Sequence, residues 1–254
     1  MVETEARSVE TPTIEDWTHA PWRQLEQHVY RLQKRIYKAQ SRGNVKAVHS
    51  LQRLLVKSQA ARMLAVRKVT QDNQGKRTAG VDGVKAVGPM IRLLFVDRLR
   101  DRRRIKARPV RRIMIPKPGK DEKRPLGIPV MLDRAHQALA KLALEPQWEA
   151  RFEPNSYGFR PGRSCHDAIE AIYQAVWKQN YYVLDADIKG CFDHINHHAL
   201  LAKLDTTPSL YRACKAWLRA GVMDGGTFVP TTSGTPQGGV LTPPTMLQTH
   251  GIRV

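Results

Sequence analysis

The residues with the most chemical potential lie in DADIKGCFDHI, 185–195. Period-2 alternation puts Asp185 and Asp187 on one face of a strand expected over 181–188 (YYVLDADI), a run rich in β-branched and aromatic residues. A carboxylate at the end of a strand stands at a sheet edge, where a divalent cation can sit. Phosphoryl transfer needs such carboxylates to hold Mg²⁺ against the attacking and leaving oxygens. The competing reading is plainer: two acids that cap a strand or pair with arginines. A second constellation overlaps the first. Cys191, His194, His197 and His198 have the spacing C-x2-H-x2-HH, which zinc could use if the four closed into a tetrahedron. That stretch runs from a strand end into a helix, which suits a closed cage poorly.

Composition says what such a site would act on. The chain has 254 residues, with 42 Lys and Arg against 23 Asp and Glu, a formal charge of +19. That balance favours a polyanionic partner, and so nucleic acid over small neutral metabolites. A hydrophobic fraction of 41% excludes a wholly disordered chain. Three scattered cysteines without a CxxC fit a reducing cytoplasm rather than a disulfide scaffold. The longest charge-free apolar stretch, Pro125 to Leu132, is too short to cross a bilayer, so no membrane partner is expected.

Residues 1–20 hold five acids and one base and are expected as a loose acidic leader. Residues 21–78 then carry 14 Lys and Arg against 2 acids. Leu25, Val29, Leu32 and Ile36 predict one helix, Gly43-Asn44 a break, and Val48, Leu51, Leu55 and Val66 a second helix from Val45 to Val69. Arg31, Lys34, Arg35 and Lys38 fall on the outer face with almost no acids interleaved, which favours RNA or DNA contact. Residues 70–90 read as a Gly-rich linker or functional loop, and 91–108 as a further basic helix. In RRIMIPKPGKDEKRPLGIP the alternation from Arg112 to Lys117, the Pro118-Gly119 turn and the run Arg124 to Pro129 predict a basic β-hairpin. A helix is expected from Asp133 to Glu149, and another over 164–178 capped by Ser164 with Asp167 in its first turn. A last helix is expected from His197 to Ala220.

Taken in order, RRIMIPKPGKDEKRPLGIPVMLDR, SYGFRPGRSCHDAI, LDADIKGCFDHINH and SGTPQGGVLTP resemble the early blocks of a bacterial group II intron reverse transcriptase, an intron-encoded maturase. AGVDG at 79–83 resembles the block just before them, and the basic helices resemble the family's N-terminal extension. The resemblance implies an α+β fold, with a helical RNA-binding region over 21–90 followed by fingers and palm over 91–254. It implies Mg²⁺-dependent, RNA-templated addition of dNTPs, with intron RNA and template-primer as partners. Residue by residue, Asp187 matches the first metal-binding Asp and the carbonyl of Ile188 a further ligand. Phe192 matches the bulky gate against a 2′-OH. Lys117 and Arg124 match the fingers residues at the incoming triphosphate, and Gln237 the residue near the nascent base pair. Tyr157, Phe159 and Arg160 resemble a template-contact block, and Arg111 and Arg112 on the basic hairpin are expected to bind template or RNA as well. One departure stands out: the family's second acidic block, Tyr-x-Asp-Asp, has no counterpart, because the sequence contains no Asp-Asp pair. It therefore reads as an N-terminal fragment, inactive alone, with a non-catalytic intron-RNA-binding (splicing-assisting) fragment or a pseudogene product as the alternative.

Overall fold

The computed structural model describes residues 17–85, 87–101, 105–119, 121–178 and 181–235. Helices α1 (Trp22–Ser41), α2 (Val45–Lys57) and α3 (Gln59–Arg67) open the chain, and a π-helical turn (Lys68–Asp72) and a 3-10 turn (Gln74–Arg77) follow. Next come α4 (Pro89–Arg98), the hairpin β1 (Val110–Pro116) and β2 (Lys123–Ile128), and the long α5 (Met131–Glu149). The chain continues through α6 (Cys165–Val176), α7 (His197–Lys203), α8 (Pro208–Leu218), β3 (Val222–Asp224) and β4 (Thr227–Val229). The fold is α+β.

The helical half is built as its periodicity dictates. Val29, Leu32 and Ile36 of α1 and Val48 and Leu55 of α2 are buried against Met131, Ala135, Leu139 and Leu144 of α5. Trp17, expected in the loose leader, belongs to this core instead. Its ring meets Trp22 edge-on at 5.0 Å, and its indole N–H donates to Gln71 at 3.0 Å. Residues 1–16 lie outside the described ones.

The single helix expected over 45–69 is two. Ser58 adopts an extended conformation (φ −63°, ψ 132°), and α3 turns to pack on α4 and α5. The helix expected over 197–220 also divides. Asp205 has φ +37°, and Pro208 at the first turn of α8 keeps Thr207 out of the helical region. The expected helix over 91–108 ends at Arg98, and residues 105–109 run irregularly into β1.

One four-stranded sheet, in the order β2-β1-β3-β4, carries the hairpin. β1 and β2 pair antiparallel with Ile115 opposite Arg124, and Val110 of β1 pairs parallel with Val222 of β3. The strand expected over 181–188 is not formed. The segment is irregular and solvent-exposed, with no ladder to any described strand. Its composition favours a strand only where neighbours cover it, since β propensity is largely a packing preference. Helix α6 forms where expected, with a reciprocal capping box between Ser164 and Asp167, yet none of its residues is buried.

The linker is fastened from below. Arg134, at the start of α5, is buried and donates to the carbonyls of Pro129 (2.8 Å), Gly75 (2.7 Å) and Thr78 (2.6 Å). Beside it Asp133 accepts the Arg108 N–H at 2.9 Å, and Arg108 reaches Asp82 of the AGVDG block. Burial is the main reason the Asp133 carboxyl is pushed up to about 6, with the Asp82 charge adding to it and Arg108 opposing it. A folded-state pKa above the unfolded value stabilises below about pH 4, and that contribution is lost as pH rises through 6. Asp133→Asn, which keeps an acceptor for Arg108, is therefore expected to stabilise the chain at pH 7 by up to about 3 kcal/mol and to lose that advantage at pH 4. Urea unfolding of both proteins at the two pH values checks this, and a gap independent of pH would count against it.

Candidate active site

The turn after Asp187 is built by backbone bonds. Cys191 N–H donates to Ile188 O at 3.3 Å, and the Asp193 and His194 N–H groups to Gly190 O at 2.9 and 3.2 Å. Gly190 takes φ +62° to allow it. The first residues of the SGTPQGG block then dock on this turn. Gly234 N–H donates to Ile195 O and Thr235 N–H to Phe192 O, both at 2.8 Å. The ring of His197 is buried and bonds the Gly234 carbonyl through Nε2 at 2.6 Å. Gly234 has φ +74°, and a Cβ there would lie 2.7 Å from Asp193 O. Two sequence blocks about forty residues apart thus interlock backbone to backbone.

The hairpin forms the facing wall. A cavity of about 120 Å³ is bounded by Arg112 of β1, Pro125 and Gly127 of β2, Asp193 of the turn, and Ser233 and Thr235. Thr235 is buried, with its hydroxyl unpartnered among the described residues. Arg112 is held to Asp224 of β3 at 2.9 Å. At the hairpin tip Lys117 pairs with Glu122 at 2.5 Å, and that bond holds the Glu122 carboxyl below its ordinary range. Arg124 is exposed on β2.

Asp187 is exposed and joins no ion pair or hydrogen bond among the described residues. The Ile188 carbonyl is in the turn, and Phe192 is half-buried against the core. Arg111 is half-buried, its Nε without a partner among the described residues. Gln237 lies outside the described residues. Tyr157 is half-buried with the Arg163 guanidinium 5.1 Å from its ring centre. Phe159 is 63% exposed with φ +58°, a conformation that is costly for a bulky residue.

Arg160 differs from the expectation of a template contact. Its guanidinium is buried, donates to both oxygens of Glu149 at 2.6–3.2 Å and to the carbonyls of Glu153 and Ser156, and so shapes the loop from inside. Arg31, Lys34, Arg35 and Lys38 are all exposed along α1. His197 and Gly234 were not foreseen in these roles.

The described residues offer few metal ligands. Among them no three His, Cys, Asp or Glu side chains converge on a point, and His197 is turned away to Gly234. Asp187 with one carbonyl is too small a donor set for the two ions of phosphoryl transfer. The described residues therefore do not fit that pair by themselves.

Two ordered matches to known families cover most of the chain. Residues 17–99 match the N-terminal domain of reverse transcriptase, and residues 115–249 match the reverse transcriptase (RNA-dependent DNA polymerase) family itself. The chain belongs to the reverse transcriptase family. This reverse transcriptase chain is 39% identical over 138 residues to the group II intron-encoded protein LtrA of Lactococcus lactis subsp. cremoris, which is 53% of this chain and 23% of that protein. It is 35% identical over 205 residues to protein YkfC of Escherichia coli K12, covering 76% of this chain and 54% of YkfC. An uncharacterized 91 kDa protein in a cob intron of Schizosaccharomyces pombe is 36% identical over 138 residues, 53% of this chain and 17% of that protein. The reverse transcriptase chain thus spans about half or less of the length of these relatives. No helix among the described residues is long and apolar enough to cross a membrane.

Proposed function

We infer that this chain supplies the fingers and the first part of the palm of an RNA-directed DNA polymerase of the group II intron class. The observation that carries the reading is the docking of Gly234 and Thr235 on the turn that follows Asp187, opposite the basic hairpin. That interlock would bring the segment leading to Gln237 beside Phe192. Lys117 and Arg124 would bind the triphosphate of an incoming dNTP, and the Phe192 ring would crowd a 2′-OH. Asp187 and the Ile188 carbonyl would be ligands of one catalytic Mg²⁺, which when bound stabilises charge on the reacting oxygens. Tyr157 and Phe159 would meet the template, with Arg160 holding their loop in shape. Arg111 and Arg112 would lie along the nucleic-acid backbone. All three cysteines are free, which suits a reducing cytoplasmic setting.

The 254 residues contain no Asp-Asp pair to complete the donor set. A primer-extension assay on a primed RNA template with Mg²⁺ is therefore expected to give no dNTP incorporation, while the same template is retarded in a native gel. Phe159→Gly is expected to weaken that retardation without lowering the melting temperature, because glycine enters the left-handed region freely and the lost ring is mostly exposed. Incorporation by the purified chain would overturn the inactivity, and a stable Phe159→Gly protein with undiminished binding would overturn the template role.

A second reading has its own support. The outer face of α1 presents Arg31, Lys34, Arg35 and Lys38, and the only acid of the helix, Glu26, is paired with Arg67 at 3.1 Å. A face of that kind would bind structured RNA, including that of an intron, without any catalysis.

A further inference from the structure

The outer ridge of α1 carries more than charge. Tyr30, Lys34 and Tyr37 recur at i, i+4 and i+7, so they stand in one line along the helix. Tyr30 is 61% exposed and Tyr37 44% exposed. The Lys34 ammonium lies 5.9 Å from the Tyr30 ring centre. Lys38 and Arg31 flank the line, and all of these side chains are exposed, off the buried stripe of Val29, Leu32 and Ile36. Neither ring belongs to the buried core of the fold.

We propose that this ridge binds nucleic acid through unpaired bases, with Tyr30 and Tyr37 as stacking platforms and Lys34, Lys38 and Arg31 on the neighbouring phosphates. The proposal rests on reading α1 as a nucleic-acid face and adds what kind it takes. Charge complementarity selects a polyanion, since the ridge carries cations and its one acid, Glu26, one turn before Tyr30, is already paired with Arg67. The tyrosines then select among polyanions. A base can stack on an aromatic side chain only if it is free of its own helix, so a loop or a single strand offers what a perfect duplex withholds. An anionic bilayer is the poorer match, because the ridge has no Leu, Ile, Phe or Trp to enter the acyl region.

The test is fluorescence anisotropy of the whole chain with two labelled RNAs of equal phosphate number, one a stem with an unpaired loop and one a blunt duplex, across a salt series. Tyr30→Ala with Tyr37→Ala is expected to weaken loop binding by about tenfold or more and to leave duplex binding and the salt slope unchanged. Tyr30→Phe with Tyr37→Phe restores the loop affinity, because the rings remain. Lys34→Ala with Lys38→Ala weakens both RNAs and lowers the slope by about 0.7–0.9 per lysine. Equal loss on loop and duplex after tyrosine removal, or no loss, overturns the stacking role while the lysine result leaves the charged face standing. No effect of either pair overturns the face itself. Loss of binding to vesicles containing phosphatidylglycerol, with RNA binding intact, assigns the ridge to a membrane and also overturns the proposal. All these exposed substitutions leave the core untouched, so an unchanged melting temperature confirms folding in each arm.

Discussion

Gly234→Ala releases the SGTPQGG block from the turn after Asp187. The added Cβ would sit 2.7 Å from Asp193 O, 2.9 Å from Phe192 O and 3.0 Å from Asp193 C, all backbone atoms that cannot swing aside. The φ of +74° adds the ordinary penalty of a left-handed residue. Relief requires the segment to lift, which breaks the Gly234–Ile195, Thr235–Phe192 and His197–Gly234 bonds together. The loss is local, because undocking limits the damage to the docking energy itself. Amide exchange of Gly234 and Thr235 is therefore expected to accelerate about a hundredfold, equivalent to about 2.7 kcal/mol, with the α1–α5 core unaffected. His197→Ala is expected to give a smaller acceleration of the same amides. His197→Gln, which can present a donor near the position of Nε2, is expected to recover part of it. Unchanged exchange in Gly234→Ala would mean that the interlock is not what orders this segment.

Arg134→Met acts on the whole fold. It keeps the aliphatic stem and removes the guanidinium, so the Thr78 and Pro129 carbonyls lose their Arg134 donor and the Gly75 carbonyl keeps only the Thr78 N–H. Burial already holds the Arg134 pKa below its ordinary value, so the charge is tolerated for the sake of these bonds. Hydrogen bonds to a charged group contribute about 1.5–3 kcal/mol each and do not add fully, so a loss of about 3–5 kcal/mol is expected. Arg134→Lys should recover little, since one ammonium cannot reproduce the planar fork that spans three carbonyls. Chemical denaturation measures both. A loss under about 1 kcal/mol for the methionine variant would show that the linker is held by something else.

Much of this architecture was legible in the sequence because it rests on local rules. Helical periodicity marked the buried faces of α1 and α2, alternation and Pro118-Gly119 marked the hairpin, and Ser164 with Asp167 marked the start of α6. The breaks at Ser58 and Asp205 were not foreseen. Pro208 was a usable signal for the second, since the residue before a proline leaves the helical region; Ser58 offers no comparable marker. The strand expected over 181–188 was misjudged for a different reason. YYVL has strand composition, but a strand is a relation between neighbours, and no described strand lies beside it. The job of Arg160 was hidden because a loop arginine among aromatics looks the same whether it faces phosphate or Glu149. His197 and Gly234 were hidden because they meet 37 residues apart, and what forbids a side chain at Gly234 is the backbone of another block.

In the proposed reading the hairpin, the Asp187 turn and the SGTPQGG block face one nucleotide. Photo-crosslinking of an azido-dATP to the chain, with a primed RNA template and Mg²⁺ and mapped by mass spectrometry, tests it most directly. Label within 117–124, 187–192 or 233–237, competed away by unmodified dNTP and lost in Arg124→Ala, is the result expected. Label confined to α1 or α8, or label that unmodified dNTP fails to displace, would contradict it.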